Sequence, residues 1–165
     1  MIKLDLMGPT NAPVSKAIRL RALPDSPAAF SYTYAEESKL TDADWLERAG
    51  QWSGTNSVTY LAMDNGRAMG IASGVRDHND PRRADLMSMW VAPDHRRLGI
   101  GRMLVDALAA WVRAQNVLNL YLLVISNNDQ AIQFYQSLGF ALTGRSEDYR
   151  NDPARLNYEM HRSLT

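Results

Sequence analysis

The sequence predicts an α/β (α+β) fold with a mixed, mostly antiparallel sheet of about six to seven strands, flanked by about four helices. Two β-rich runs, Ser57–Met63 and Ala68–Val75, are joined by Asp64-Asn65-Gly66, which is a strong hairpin signal. A long amphipathic pattern over Gly99–Gln115 precedes a second strand-like run, as in a strand–helix–strand crossover. That run, Leu118–Ile125, is nearly all apolar, which is typical of a strand buried on both faces.

The N-terminal part is predicted to hold one strand and two helices. Alternation over Ile2–Leu6 indicates an edge strand. A helix over Ser15–Ala22 is expected to be broken by Pro24 and Pro27, because proline interrupts a helical pattern. A threonine N-cap, acidic residues and a closing glycine predict the second helix over Asp42–Gly50.

The remaining elements follow the hairpin. Arg76–Arg83 is polar and contains proline, so it is predicted to be a loop. Ala84–Val91 is the expected central strand, and a capped helix is predicted around Asn128. Phe140–Gly144 and Leu156–His161 are the expected last strands. A meander followed by one crossover gives a mixed sheet with helices on its faces.

The composition limits the function classes. A length of 165 residues suits a single domain over 1–165, and the zero net charge creates no global field for nucleic acid or a membrane surface. The absence of cysteine excludes disulfides, thiolate metal sites and a cysteine nucleophile, and no two histidines have metal-ligand spacing, so no metal is expected. No signal peptide or membrane-spanning run is visible, so we expect a cytoplasmic protein.

The segment Arg96–Gly101 (Arg-Arg-Leu-Gly-Ile-Gly) is the most informative motif. It is a glycine-rich turn that leads into a helix, whose first N–H groups have no intrahelical partner. Those donors and the positive end of the helix dipole form an anion site, to which nearby guanidinium groups contribute. The motif therefore predicts a phosphate or pyrophosphate of a nucleotide-bearing ligand. An ordinary βα turn with solvated arginines is the alternative.

Two common glycine loops do not fit this segment. A P-loop requires Lys-Ser/Thr after its last glycine, whereas Arg102 and Met103 follow Gly101. A dinucleotide fingerprint requires a third glycine or alanine where Leu104 stands. An unrelated nucleotide-binding α/β module is therefore disfavoured.

A second motif lies at Asn127–Phe140. Asn127 or Asn128 is a good helix N-cap, and Gly139 stands where a left-handed C-cap residue is expected. The pattern Asn-x-x-Ala-x-x-x-Tyr-x-x-x-Gly-Phe, together with Arg-x-x-Gly-x-Gly upstream, resembles the GNAT family of N-acetyltransferases, in its bacterial single-domain type. The likeness is close over Ala84–Arg145 and loose elsewhere.

The resemblance implies the GNAT acyl-CoA N-acyltransferase fold, in which two parallel central strands splay apart and admit the pantetheine arm of acetyl-CoA. It implies transfer of an acetyl group from acetyl-CoA to a primary amine by direct attack in a ternary complex. The cofactor-binding residues expected on this basis are Met89, Trp90, Val91, Arg96, Arg97, Leu98, Gly99, Ile100, Gly101, Arg102, Asn128 and Tyr135. Asn128 has capping of its own helix as an equal alternative.

The same resemblance assigns catalytic roles. Tyr135 matches the family tyrosine whose hydroxyl meets the CoA sulfur, so it is the candidate acid, and the Val91 N–H is the candidate oxyanion donor. Strand alternation puts Asp85, Met87, Met89 and Val91 on one face, and counting back six residues from Val91 makes Asp85 the candidate base. The alternative for Asp85, which as the shorter carboxylate would act through a water, is a surface carboxylate that pairs with the Arg82-Arg83 loop. Glu36, Glu37 and His78 are weaker candidates for the base.

The acceptor is not identified by the sequence. Phe30, Tyr34 and Glu37 are the candidate substrate-binding residues, as aromatic walls and as a carboxylate that attracts an amine, although core packing and a solvated helix face are the alternatives. We expect a small-molecule or peptide amine as partner, no nucleic acid and no membrane; homodimers are common in the family. The alternative function is a non-catalytic acyl-CoA-binding sensor on the same fold.

Overall fold

The computed structural model describes all residues, 1–165, as one seven-stranded sheet with helices on both faces. The strands are β1 (Lys3–Leu6), β2 (Ser57–Asp64), β3 (Arg67–Arg76), β4 (Arg83–Val91), β5 (Asn119–Ile125), β6 (Ala141–Tyr149) and β7 (Asp152–Ser163). The helices are α1 (Ala12–Asp25), α2 (Tyr34–Glu37), α3 (Asp42–Gln51), α4 (Ile100–Ala114) and α5 (Asp129–Ser137). None of them combines the length and apolar character that crossing a bilayer requires.

The sheet has the order β1-β2-β3-β4-β5-β7-β6. Only β4 and β5 pair in parallel, and every other neighbouring pair is antiparallel. This topology confirms the predicted fold class, and the hairpin at Asn65 and Gly66 has the positive φ values (50° and 77°) that its sequence predicts.

Three parts of the chain differ from the prediction. The first helix continues through Pro24 to Asp25, so the expected break at Pro24 is wrong; the proline stands in the last turn, and Ser26 N–H still donates to Ala22 O at 2.8 Å. The single-turn helix α2, capped by Thr33, was not predicted. Strands β6 and β7 are longer than predicted because they pair with each other up to Tyr149 and Asp152.

The core has two layers, one on each face of the sheet. Helix α4 buries six residues against one face, and Tyr135 of α5 and Leu138, which follows α5, join the same cluster. The opposite face holds a second cluster in which α1 and α3 pack over β2, β3 and the end of β4. Removing a fully buried leucine of the first layer, such as Leu104 or Leu108, is expected to cost about 2–5 kcal/mol.

Strand β4 contains a β-bulge at Ser88, which changes the faces of the residues after it. Ser73 pairs with Met87 but Ile71 pairs with Trp90, so β4 has one residue more than β3 here. Ser88 has a positive φ of 55°, and this backbone conformation accommodates the extra residue in β4.

The predicted alternation along β4 is therefore wrong. Ala84 and Leu86 belong to the α4 layer before the bulge, whereas Met89 and Val91 pack against that layer after it. Asp85 is the neighbour of Leu86 in the strand before the bulge, so its side chain points to the opposite face of the sheet, which is the α1 side. The prediction assumed regular alternation from Asp85 to Val91, but a bulge that the sequence did not reveal lies between these two residues.

The two parallel strands separate beyond their first residues. Pairing joins Arg83–Leu86 of β4 to Asn119–Leu122 of β5 and then stops, although both strands continue. The predicted splay of the central strands is confirmed. It opens a gap through the sheet that connects the α4 side with the α1 side.

Candidate active site

The gap is the centre of one large cleft of about 1360 Å³. On the α4 side the cleft is lined by the loop 95–102 and by α5, and on the α1 side by α1, α3 and the turn between β6 and β7. Single small-molecule pockets measure roughly 300–1,000 Å³, so this cleft has room for a long ligand and a second molecule beside it.

The start of α4 presents a row of free backbone donors. No N–H group of residues 97–102 donates to an acceptor in the protein, and the first one that does is Met103 N–H, to Gly99 O at 3.0 Å. Arg97 and Gly99 have φ values of 64° and 82°, so the chain curls around this point. Free amides on a curled chain and the helix dipole are the features that the motif predicts for an anion site.

Glycine is required at positions 99 and 101 of the motif for two different structural reasons. A Cβ on Gly99 would meet no atom within 4 Å, so its positive φ is what requires glycine there. A Cβ on Gly101 would lie 2.8 Å from Phe134 Cζ and 3.3 Å from Met89 Cε. Gly101 therefore allows the start of α4 to approach α5 and β4 closely.

Arg96 braces the loop against two other elements. Its Nε donates to Val91 O at 2.9 Å and its Nη2 to Asp25 at 2.8 Å. Asp25 also accepts from Ser26 and from Trp90 Nε1, and these hydrogen bonds, with that of Arg96, lower the pKa of its carboxyl. The Trp90 side chain thus points to α1, and direct contact of Arg96 with phosphate stays a prediction.

His95 fixes the turn that precedes this loop. Its Nδ1 lies 3.0 Å from Asp94 Oδ1 and its Nε2 lies 2.9 Å from Asp64 Oδ2. The hydrogen bonds to Asp94 and then Asp64 raise the pKa of the imidazole. The turn is therefore tied to the end of β2.

The free edge of β4 turns its backbone groups into the gap. Ala92 N–H donates to Met69 O of β3 at 2.8 Å, and Trp90 stands opposite Ile71. Because N–H groups alternate along a strand, those of Met89 and Val91 point away from β3, towards the separated β5. An extended ligand with amide groups can pair with this edge as an added strand.

Tyr135 lies on α5 beside the gap. It is 8% exposed, and its ring packs against Phe134 and Phe140 at centroid distances of 5.2 Å and 5.8 Å. Tyr135 lines the cleft, its hydroxyl makes no hydrogen bond to the protein, and burial raises the pKa of that hydroxyl, so it stays protonated at neutral pH. Asn128 also lines the cleft, and its Oδ1 accepts from Ala131 N–H at 3.2 Å, which caps α5.

The family model for the acetyltransferase (GNAT) family matches residues 20–140 of this chain. The chain belongs to this family. The [ribosomal protein bS18]-alanine N-acetyltransferase of Salmonella typhimurium is 32% identical over 128 residues, which are 74% of this chain and 79% of that protein. The N-terminal acetyltransferase B complex catalytic subunit naa20 of Schizosaccharomyces pombe is 36% identical over 129 residues, which are 75% of this chain and 72% of that protein.

A solved structure shows the same fold. The structure of yncA from Salmonella typhimurium, determined with its cofactor acetyl-CoA, matches with a TM-score of 0.79 and 17% identity over 100% of this chain and 95% of that chain. The chain is an acetyl-CoA-dependent N-acetyltransferase. The names of its relatives give no support to a non-catalytic sensor.

The candidate base of this acetyltransferase is engaged in an ion pair. Arg83 approaches Asp85 with Nη2 at 2.7 Å and with Nε at 3.1–3.2 Å from both carboxylate oxygens. The same guanidinium contacts Glu159 at 3.0 Å and lies 4.0 Å from the centre of the Tyr121 ring. The pairing with the 82–83 loop, which the sequence left as the alternative, is therefore present.

The predicted substrate residues have separate environments. Phe30 is buried and lines the cleft, whereas Tyr34 is 48% exposed and does not line it. The Glu37 side chain is fully buried between Arg19 and Arg48. Burial alone would raise the pKa of the Glu37 carboxyl, but the two guanidinium groups outweigh that effect and hold the pKa below its usual range. Glu37 therefore does not line the cleft itself.

Sequence reasoning missed the arginines that meet Glu37. Arg19 Nη1 donates to Ser88 Oγ at 3.1 Å, which ties α1 to the bulge of β4, and both Arg19 and Arg48 line the cleft. A buried glutamate at 37 could have signalled a cationic partner, but its burial depends on the packing of α1, α2 and α3, and no sequence pattern gives that packing.

Proposed function

We propose that this acetyltransferase binds acetyl-CoA through the gap, with the pyrophosphate on the backbone amides of residues 97–102 and the pantetheine arm along the free edge of β4. The supporting observation is the continuity of the two sites: the donors at the start of α4 and the free edge of β4 border one cleft. The thioester would then lie at the gap, between Tyr135 and the acceptor on the α1 side.

The proposed reaction is direct attack of a neutral primary amine on the thioester carbonyl. Met89 and Val91 direct N–H groups into the gap, and these donors are placed to stabilise the oxyanion of the tetrahedral intermediate. The nitrogen–carbon bond forms, the carbon–sulfur bond breaks, and the amine nitrogen gives up its extra proton. Holding both reactants in one cleft removes much of the entropic cost of their encounter.

Tyr135 is the proposed acid for the departing thiolate. Its hydroxyl has no other partner, and its raised pKa keeps the phenol protonated at neutral pH. After transfer the phenol is restored by a proton from solvent, which balances the proton that the amine has lost.

We do not propose Asp85 as a dedicated base. The Asp85 carboxylate is already paired with Arg83, so Arg83 competes with the ammonium group of an incoming acceptor for the same carboxylate oxygens. The amine is instead proposed to lose its proton to water before attack, so that the rate follows the neutral fraction of the acceptor. Asp85 as the base stays the competing prediction.

The proposed acceptor is a primary amine of a small molecule or a peptide, and the proposed location is the cytoplasm. Relatives named for a ribosomal protein and for protein N-termini support an amine acceptor and an intracellular location. The names of those relatives do not define the acceptor of this chain.

The test combines binding with turnover. Calorimetry should show acetyl-CoA binding, and release of the CoA thiol should depend on an added amine from a panel of amino acids, peptides, polyamines and aminoglycosides. Gly99→Glu is expected to abolish binding, because a carboxylate on this open, positive-φ residue enters the amide row. Unchanged affinity in Gly99→Glu, or release without any amine, would contradict the proposal.

A further inference from the structure

One buried polar group on the α1 side of the cleft has no partner. The indole Nε1–H of Trp45 is the only fully buried side-chain nitrogen or oxygen in the protein without a hydrogen bond. Trp45 is 2% exposed, belongs to α3 and lines the cleft. An unpaired buried donor is costly, and a ligand can supply the missing acceptor once a neighbouring side chain shifts, because Nε1 itself has almost no accessible surface in the free protein.

A cationic group stands next to this donor. Arg48 follows Trp45 by one turn of α3, with its guanidinium carbon 5.4 Å from the centre of the indole ring. Its Nη1 donates to Glu37, whereas its Nε and Nη2 make no hydrogen bond in the protein. The Arg48 side chain is 30% exposed and lines the cleft.

The local charge is positive. Two arginines, Arg19 and Arg48, share the single carboxylate of Glu37, so this trio has a net charge of +1. Asp44, in the first turn of α3, also interacts with Arg48. Hydroxyl groups lie on the same face, among them the Thr59–Ser73 pair at 2.6 Å, and the acidic Glu147 and Asp148 of β6 also line the cleft. A partly buried guanidinium beside an indole N–H is a combination that suits a carboxylate.

The opposite charge lies further along β4 on the same face. Arg83 is bracketed by Asp85 and Glu159, so this trio has a net charge of −1. Ser88, which Arg19 contacts, is three residues from Asp85, or roughly 10 Å of strand. A molecule with a carboxylate and an amine matches this gradient, whereas a polyamine does not.

The acceptor side is also partly closed by a bridge. Arg150 Nη1 and Asn151 Nδ2, at the turn between β6 and β7, donate to Ser31 O at 2.6 Å and 3.0 Å. Tyr149 Oη donates to Pro27 O at 3.2 Å. These contacts join the turn to the segment after α1 across the rim of the cleft, and a protein chain would have to displace them.

We infer that the acceptor is a small amine that carries a carboxylate, in the class of free amino acids, and that Trp45 and Arg48 bind this carboxylate. The inference rests on the proposed function and names its acceptor class. One charge-assisted hydrogen bond is worth roughly ten- to a hundredfold in affinity, so loss of the carboxylate should be clearly measurable.

The first experiment measures acceptor-dependent CoA release by the wild-type protein. The panel contains L-amino acids, each with its carboxamide and its decarboxylated amine, and also glycine, β-alanine and 4-aminobutanoate to vary the spacing of the two groups. We expect the best amino acid to exceed both of its matched analogues by at least about tenfold in kcat/KM. Equal or better turnover of the analogues, of polyamines or of peptides would overturn the inference and leave the proposed function intact. Acetyl-CoA binding without turnover of any amine would instead count against the transfer reaction itself.

The second experiment uses Trp45→Phe, which removes the N–H and keeps most of the ring packing. We expect KM for the amino acid to rise by about tenfold, with kcat and KM for acetyl-CoA within about twofold of wild type. Thermal unfolding should not be lowered by loss of a hydrogen bond, because the indole has none in the free protein. Trp111→Phe, on the opposite layer, is the matched control and should leave both KM values unchanged. An unchanged KM for the amino acid in Trp45→Phe would overturn the assignment of Trp45.

Discussion

Replacing Tyr135 with phenylalanine removes one hydroxyl and leaves the ring of the side chain in place. In the structure that hydroxyl makes no hydrogen bond within the protein, and the ring contacts Phe134 and Phe140 through its carbon atoms. The substitution should therefore separate catalysis from folding, since the only function left for the hydroxyl is at the cleft.

The expected effects differ by more than experimental error. The free energy of unfolding should change by less than about 1 kcal/mol, because no protein hydrogen bond is lost. If the hydroxyl protonates the CoA thiolate, kcat should fall by about a hundredfold, within a range of ten- to a thousandfold for one acid catalyst. A hundredfold loss corresponds to about 2.7 kcal/mol in the activation free energy.

The assay is CoA thiol release at a saturating amine, with the acetyl-CoA dissociation constant measured by calorimetry. Tyr60→Phe is the matched control, because Tyr60 is a partly buried tyrosine that packs against the same α4 layer but lies outside the cleft. We expect the control to keep wild-type kcat. Wild-type turnover in Tyr135→Phe would assign Tyr135 to packing alone, and a parallel loss of acetyl-CoA affinity would contradict the assignment as an acid.

Three further predictions concern neighbouring groups. Gly99→Ala should cost about 1–2 kcal/mol of folding free energy because residue 99 has a positive φ, and Gly101→Ala should displace Phe134. Both variants should therefore bind acetyl-CoA more weakly in calorimetry. Tight binding by both variants would contradict the close fit of the loop. Asp85→Asn should lower kcat by less than about tenfold, and a loss of a hundredfold or more would make Asp85 the base after all. Glu37→Gln should lower the free energy of unfolding by about 3 kcal/mol near pH 7. Because the folded-state pKa of Glu37 is depressed, the loss of unfolding free energy in Glu37→Gln should be complete above the unfolded-state pKa of about 4.3 and should disappear as the pH falls through the folded-state pKa. A loss that does not depend on pH in denaturant titrations would refute the ion-pair explanation.

The sequence was sufficient for the parts of the site that depend on local chain geometry. A glycine-rich turn before an amphipathic helix specifies free amides whatever the rest of the fold does, and the asparagine cap of α5 likewise depends on residues 128 and 131 alone. These local rules predicted an anion site before α4 and a capped helix that carries Tyr135, whereas the role of Tyr135 and the gap between the strands came from the family resemblance.

The face of Asp85 could not be predicted in the same way. It depends on the bulge at Ser88, and serine is not a residue that signals positive φ. The bulge is held by tertiary contacts, among them the hydrogen bond from Arg19 of α1. Strand alternation therefore gave the wrong face for Asp85 relative to Val91.

The environment of the acceptor side could not be predicted from sequence patterns either. Glu37 looks like a solvated residue of an acidic helix, yet the structure buries it under two arginines that are 18 and 11 residues away in the chain. The unpaired Trp45 N–H is visible only when all possible partners are placed around it. Both features come from the packing of α1, α2 and α3.

The most direct test of the account is a crystal structure of this acetyltransferase with acetyl-CoA. The account predicts pyrophosphate oxygens within hydrogen-bond distance of the amides of residues 97–102, and the thioester in the gap between β4 and β5, near the hydroxyl of Tyr135. A cofactor bound elsewhere, or a pyrophosphate held by side chains while those amides face solvent, would contradict it.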